Sequence, residues 1–326
     1  MLTFILERRL VTERIRIGVS TCLLGENVRF DGGHKHDRFI TDTLGHYVEF
    51  VPVCPEVECG LGIPRESMRL VGDPEAPRLV TVRTHVDHTE RMLSWARKRV
   101  NELDKEDLCG FIFKSDSPSS GMERVKVYNE KGLPEKKGVG LFARGFMVHF
   151  PLTPVEEEGR LHDPRLRENF IERIFALKRW RQLRSRKKGL GDLVDFHTRN
   201  KLLIFSHSEK HHRAMGKLVA DGRSVPFQSL YDQYETMLME ALSLKTTLKK
   251  NANVLYHLMG YFKNDLSADE KNELLEIFQQ YRAGHIPLIV PVTLINHYVR
   301  KYQQPYLAEQ TYLNPHPVDL QLRNHV

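Results

Sequence analysis

Residues 15–25 read IRIGVSTCLLG. Ile15, Ile17 and Val19 belong to an apolar, β-branched run that stops at a turn, the pattern of a buried strand feeding a loop. Working outward, VEFVPVC (48–54) is a second strand that meets a Pro turn at Cys54. CGFIFK (109–114) is another, followed by the turn SDSPSSG (115–121). The stretch GHKHDRFITDTLGHY (33–47) suits a helix, and LVTVRTH (79–85) a strand. Met92, Leu93, Ala96, Val100 and Leu103 recur at helical spacing within residues 86–107. RVKVY (124–128) is a short strand or hairpin arm, and GVGLFARGFMVHF (138–150) a helix leading to a final strand. Strands alternating with helices predict an α/β fold, a doubly wound, Rossmann-like open parallel sheet. Such sheets build their sites where strands end.

The pattern changes beyond Pro154. EEEGRLHDP (156–164) breaks the alternation, and Asp163 before Pro164 is a helix start. Leu166, Phe170, Ile174 and Leu177 then repeat at helical spacing, and helical periodicity continues almost to the end. The expected organisation is an α/β domain over residues 13–155, a basic connecting helix over 156–189, and an all-α domain over 190–326.

The chain has 326 residues and a formal charge of +7. Four cysteines in a chain of this length do not make a disulfide framework. No apolar stretch reaches the ~20 residues that span a bilayer. The N-terminal MLTFILERRLVTERIRI is too short in apolar character and too quickly charged for a signal peptide. The expectation is a cytoplasmic protein without membrane partners. With no GxGxxG, no nicotinamide or flavin is expected.

Cys22, Cys54 and Cys59 carry the chemistry. Thiolates are soft ligands favoured by iron–sulfur clusters and zinc. Strand ends ~5 Å apart can share one cluster. Structural zinc wants four ligands, and only these three converge, so an iron–sulfur cluster with an open iron is expected. The alternative for each is a buried core cysteine. Cys109 opens its strand, ~16 Å from the site-forming edge, and is expected to be a small buried hydrophobe. Lys114, Ser115, Ser117, Ser119 and Ser120 put donors on a Pro/Gly-shaped loop that could hold an anion or a base edge. Glu56 is either a general acid/base beside the cysteines or a charge at a helix N-terminus. Asp31 and Arg65 border the same loops and either orient substrate or pair at the surface.

STCLLGENVRFDG (20–32), VCPEVECGLGIPRE (53–66) and KSDSPSSG (114–121), in this order, resemble the 2-thiouracil desulfidase family over roughly residues 13–155. DFHTRNKLLIFSHSEKHHRAMGKLVA (195–220) and the ending YLNPHPVDLQLRNHV (312–326) look like the accessory domain of two-domain desulfidases that act on 4-thiouridine in tRNA. The resemblance implies a [4Fe-4S] cluster held by three cysteines, with the fourth iron accepting the substrate's sulfur. Many single-domain relatives have cysteine where this chain has Ser120, and often glycine where it has Cys59. The resemblance therefore implies Cys22 and Cys54 as ligands, with Cys59 taking over as the third. It also places Glu56 and the Ser117/Ser119 pair near the active site, with Glu56 as base and a serine or Lys114 steering protons; Asp31, Arg65, Ser115 and Ser120 are the candidate substrate contacts from the same loops.

The run KRWRQLRSRKK (178–188) adds a basic helix. Arg179, Arg181, Arg184, Arg186, Lys187 and Lys188 are candidate RNA contacts, because phosphate binding supplies most sequence-independent affinity. His207, His211 and His212 are expected in a structural or RNA-facing helix rather than a metal site. The expected function is desulfuration of thiolated uracil, with 4-thiouridine in a tRNA partner as substrate. The alternatives are a desulfidase of free 2-thiouracil or another small thiolated base, and a non-enzymatic iron–sulfur RNA-binding module.

Overall fold

The computed structural model describes residues 14–186 and 189–325. Residues 1–13 and the candidate contacts Lys187 and Lys188 lie outside the described residues. The chain divides into two compact units between Asp163 and Pro164.

The first unit is built on a parallel sheet. Strands β1 (Ile15–Ser20), β2 (Val48–Val53), β5 (Gly110–Phe113) and β8 (Val155–Glu157) lie in the order β2-β1-β5-β8. Each adjacent pair is parallel. The expected parallel α/β sheet is present. Gly18 on β1 is required by packing, since a Cβ there would lie 2.1 Å from the Phe111 ring. Phe111, Phe113, Phe142 and Phe146 are fully buried on one side, with Phe111 and Phe113 stacked at 4.3 Å. They pack with Ala96, Val100 and Leu103 of α2 (Thr89–Leu103) and with α3 (Leu141–His149).

The remaining strands form a second, mixed sheet. β3 (Met68–Val71), β4 (Arg78–Thr81), β6 (Val125–Tyr128) and β7 (Pro134–Gly138) run in the order β4-β3-β6-β7. This corrects the reading of LVTVRTH as another strand of the parallel sheet. Its first half pairs antiparallel with β3, and the rest turns back, with Thr81 Oγ1 accepting from Val86 N. Likewise, residues 33–47 are not one helix. They open as irregular chain and contain only a π turn at Phe39–Thr43 and a 3-10 turn at Leu44–His46.

The second unit is helical, with no strand among its described residues. It comprises α4 (Pro164–Ser185), α5 (Leu190–His207), α6 (Glu209–Ala220), α7 (Phe227–Ser243), α8 (Leu248–Met259), α9 (Ala268–Arg282), α10 (Ile289–Lys301) and the short α11 (Pro305–Ala308). Trp180 is fully buried, stacked on Tyr234 at 5.0 Å and edge-on to Phe196. A buried ion cluster ties the last residues to α4. Arg323 donates to Glu168 (3.3 Å), to Glu172 (2.9 Å) and to the Tyr312 carbonyl (2.6 Å). His207 bonds Glu172 through Nε2 at 3.1 Å. Removing one member of such a cluster costs about 3–5 kcal/mol, because the partner charge is left unpaired in a low dielectric.

Candidate active site

The site follows from the register of β1 and β2. Ser20 pairs with Val53. Immediately beyond, β1 enters a 3-10 turn that carries Cys22, and β2 ends at Cys54, the N-cap of α1 (Pro55–Glu58). Pro55 at the first helical position cannot extend the ladder, so strand and helix meet sharply at Cys54. Lys114 N donates to Ser20 Oγ at 2.9 Å, which brings the end of β5 to the same edge. Three consecutive strand neighbours thus deliver the motifs to one place, and a cavity of about 320 Å³ opens between them.

Cys22, Cys54, Glu56, Arg65, Lys114 and Ser120 all line this cavity. Cys59 does not. It sits one residue past α1, packed with Leu70, Leu79 and Met92, its Sγ 3.3 Å from the Glu56 carbonyl. The loop beyond it is pinned by Arg91, whose Nε reaches the Cys59 carbonyl (2.7 Å) and Nη2 the Gly60 carbonyl (2.8 Å). Gly60 takes a φ of +88°, which favours glycine. Cys109 is fully buried at the far end of β5, as expected.

Glu56 is held by three groups. Ser119 Oγ donates to Oε1 at 2.6 Å, while Arg65 Nη2 and Cys54 Sγ lie 3.7 and 3.8 Å from Oε2. Ser117 Oγ is 3.0 Å from Ser119 Oγ, forming a hydroxyl chain that ends on the carboxylate. The α3 N-terminus fixes this chain, with Phe142 N and Ala143 N both donating to the Ser119 carbonyl. Burial and then the Glu56 charge push the Cys22 thiol up to about 11 and the Cys54 thiol up to about 12; burial also raises Cys59. These groups are therefore protonated thiols in the protein alone, and a metal has to displace those protons.

Lys114 faces the cavity, yet its ammonium is engaged. Nζ bonds Glu158 at 2.5 Å and the Ser115 carbonyl and hydroxyl at 2.9 Å each. Glu158 also accepts from Ser115 N and Oγ at 2.8 Å. This residue escaped sequence reasoning because Glu156, Glu157 and Glu158 are indistinguishable as three successive carboxylates. Arg29, Phe30 and Lys35, which line the outer cavity, were missed for lack of any motif. Asp31 is not among the residues that line the cavity; it is exposed, 3.4 Å from Arg29 and accepting from Gly33 N.

Two buried thiols from separate strand ends face one cavity, and no three His, Cys, Asp or Glu ligand atoms of this unit lie within 4.8 Å of one another among the described residues. Two thiols on one cavity leave a mononuclear site incomplete, and soft thiolate donors fit an iron–sulfur cluster. Ser120 lines the cavity, but its hydroxyl is a poorer ligand than a thiolate.

The basic run of α4 is not one free cationic face, which corrects that reading. Arg179 points inward, donating to the Pro315 carbonyl at 2.8 Å, and burial lowers its pKa to about 10. Arg184 pairs with Asp232 and Glu235 of α7. Arg181 is half-buried, while Arg186 is exposed. His207 is buried on Glu172 and the Leu244 carbonyl, and His211 bonds Ser208, so both are structural. Glu168, Glu172 and His316 lie close enough for one ion, but Arg323 already balances both carboxylates. No helix among the described residues is long and apolar enough to cross a membrane.

Residues 17–158 match the 2-thiouracil desulfurase family, and residues 201–317 match a family described only as a protein of unknown function, DUF1722. The uncharacterized protein YbgA of Escherichia coli (strain K12) is 32% identical over 163 residues, 49% of this chain and 95% of that protein. A solved structure of the [4Fe-4S]-dependent thiouracil desulfidase TudS is 28% identical, covering 46% of this chain and 95% of that one, with a TM-score of 0.39.

Proposed function

Because the chain belongs to the 2-thiouracil desulfurase family through residues 17–158, we propose that it is a desulfidase replacing the sulfur of a thiolated uracil by oxygen, with 4-thiouridine in tRNA as substrate. The observation that carries this reading is that Cys22, Cys54 and Glu56 line one cavity, with Cys54 Sγ 3.8 Å from the Glu56 carboxylate and Ser119 hydrogen-bonded to it. We assign a [4Fe-4S] cluster to Cys22, Cys54 and Cys59. Bound there, such a cluster supplies a soft, open iron with affinity for a thiocarbonyl sulfur.

The chain's own residues do the rest. Glu56 takes a proton from the water that attacks the carbon bearing sulfur. Ser119 orients the carboxylate, and the Ser117–Ser119 chain offers the route by which that proton leaves. Arg65 steadies the charge of Glu56. The Lys114–Glu158 pair sets the position of Ser115 at the wall. Water adds and sulfide departs, a C=S bond becomes C=O, and no electrons are exchanged. A cavity of about 320 Å³ lies at the small end of ligand pockets, about 300–1,000 Å³, and the cluster and one base would share it. That size equally suits free 2-thiouracil, the second reading.

The test is anaerobic reconstitution with iron and sulfide, then incubation with 4-thiouridine-containing tRNA or with free 2-thiouracil, following loss of thiocarbonyl absorbance and release of sulfide. Turnover of the tRNA, falling steeply with salt, supports the RNA substrate. Turnover of the free base alone overturns it and leaves the desulfidase reading intact. An intact cluster with neither substrate consumed overturns both.

A further inference from the structure

The helical unit holds a second cavity, of about 410 Å³, between α5, α6, α8 and the turn after α8. Its wall is cationic. Lys201, His212, Arg213 and His257 converge on it against one carboxylate, Glu209, which is paired to Arg213. Among the described residues no carboxylate pairs with Lys201; its ammonium sits over the Tyr306 ring at 5.1 Å. His212 is held below its ordinary pKa chiefly by burial and then by Lys201 and His257, with Glu209 opposing them.

The same wall carries a run of rings. Phe205 lies 6.3 Å from His257, His257 lies 5.6 Å from Tyr261, and Tyr261 stacks on Tyr306 at 5.2 Å and 25°. His257 and Tyr261 are exposed. An anion would relieve the Lys201–His212 crowding, and a flat unsaturated ring would cover the Tyr261 face. Few ligands have both in one unit. Phosphate joined to a base does, and aromatic platforms beside basic grooves are how proteins hold unpaired nucleic acid.

We propose that this cavity binds a nucleotide unit, with its phosphate at Lys201 and His212 and its base on the Tyr261 ring. The unit comes either from an unpaired stretch of RNA or from a free nucleotide. The inference rests on the proposed function only for the RNA source.

The experiment uses the full, reconstituted chain at low salt, with fluorescently labelled single-stranded octauridylate and with uridine monophosphate as probes. Tyr261→Ala is expected to weaken binding roughly tenfold or more, and Lys201→Ala to weaken it and flatten its salt dependence. Tyr261→Phe keeps the ring and is expected to keep binding. Thermal melting shows whether each variant is folded. Loss for the octamer alone assigns the pocket to an RNA strand, and loss for the monophosphate alone to a free nucleotide. Folded Lys201→Ala and Tyr261→Ala variants that bind both probes like the parent, or a parent that binds neither, overturn the proposal. Binding is read without turnover, so a parent that binds the octamer but releases no sulfide from either 4-thiouridine-containing tRNA or free 2-thiouracil sinks the desulfidase reading and leaves the pocket standing.

Discussion

Ser119, Arg65 and Cys54 surround the Glu56 carboxylate, and the proposed function makes that carboxylate the base. Glu56→Gln preserves shape and removes the base. We expect the visible absorbance of the reconstituted protein to persist while turnover falls about 10²-fold or more. A rate within a few-fold of the parent would move the base elsewhere. The ligand set is tested by colour alone. Cys22→Ala, Cys54→Ala and Cys59→Ala should each bleach the reconstituted protein, and Cys109→Ala should not. Bleaching by Ser120→Ala with colour retained in Cys59→Ala would hand the third corner to the serine loop. Cys22 and Cys54 were legible from sequence because each stands where an apolar run meets a turn. Glu158 was not, since its role depends on Lys114 and Ser115 arriving from another strand end.

At the scale of elements, the serine loop is shaped by α3. Gly140 N donates to the Gly121 carbonyl at 2.8 Å, and a Cβ on Gly140 would lie 2.5 Å from the Ser119 carbonyl carbon and oxygen. Backbone cannot yield as a flexible side chain can. Gly140→Ala should therefore displace Ser119 from Glu56 and lower kcat at least tenfold with the cluster colour retained, as read by steady-state turnover; unchanged kcat would show that the loop tolerates the shift. Element identity was legible where packing is local and repetitive, as in α2 with Met92, Ala96, Val100 and Leu103 buried. Sheet membership was not. LVTVRTH satisfies the strand pattern in either sheet, and only its pairing with β3 chooses. Residues 33–47 carry helical spacing but open as irregular chain, where Lys35 N and Asp37 N donate to the carbonyls of Cys22 and Leu23.

For the whole molecule, buried histidines make the helical unit acid-sensitive. Burial holds His197 and His316 at about 4, well below the ordinary 6.5. Between those values the unfolded chain binds more protons than the folded one, so stability rises with pH and is lost as pH falls from 6.5 to 4. The loss amounts to up to about 3 kcal/mol per histidine. Circular dichroism melts across that window should show Tm falling with acid; a flat profile would contradict the burial of both. The basic helix gives a second prediction. Arg186→Glu should weaken tRNA binding, measured by gel shift, without lowering Tm, whereas Arg184→Glu should lower Tm because it breaks the ion pairs to α7. Equal affinity of Arg186→Glu and parent at low salt would remove α4 from the RNA surface.

Sequence alone determined the parallel sheet, the change to helices near Pro164, and the meeting of Cys22 and Cys54, because hydrophobic period and turn chemistry are local and strand ends in one sheet are neighbours. Only the tertiary structure decided that Cys59 turns toward the core, that Glu158 neutralises Lys114, and that Arg179 and Arg184 are spent inside their own unit. Which partner a charge or thiol meets depends on contacts between residues far apart in the chain, and burial, which sets their cost, is a property of the packed whole.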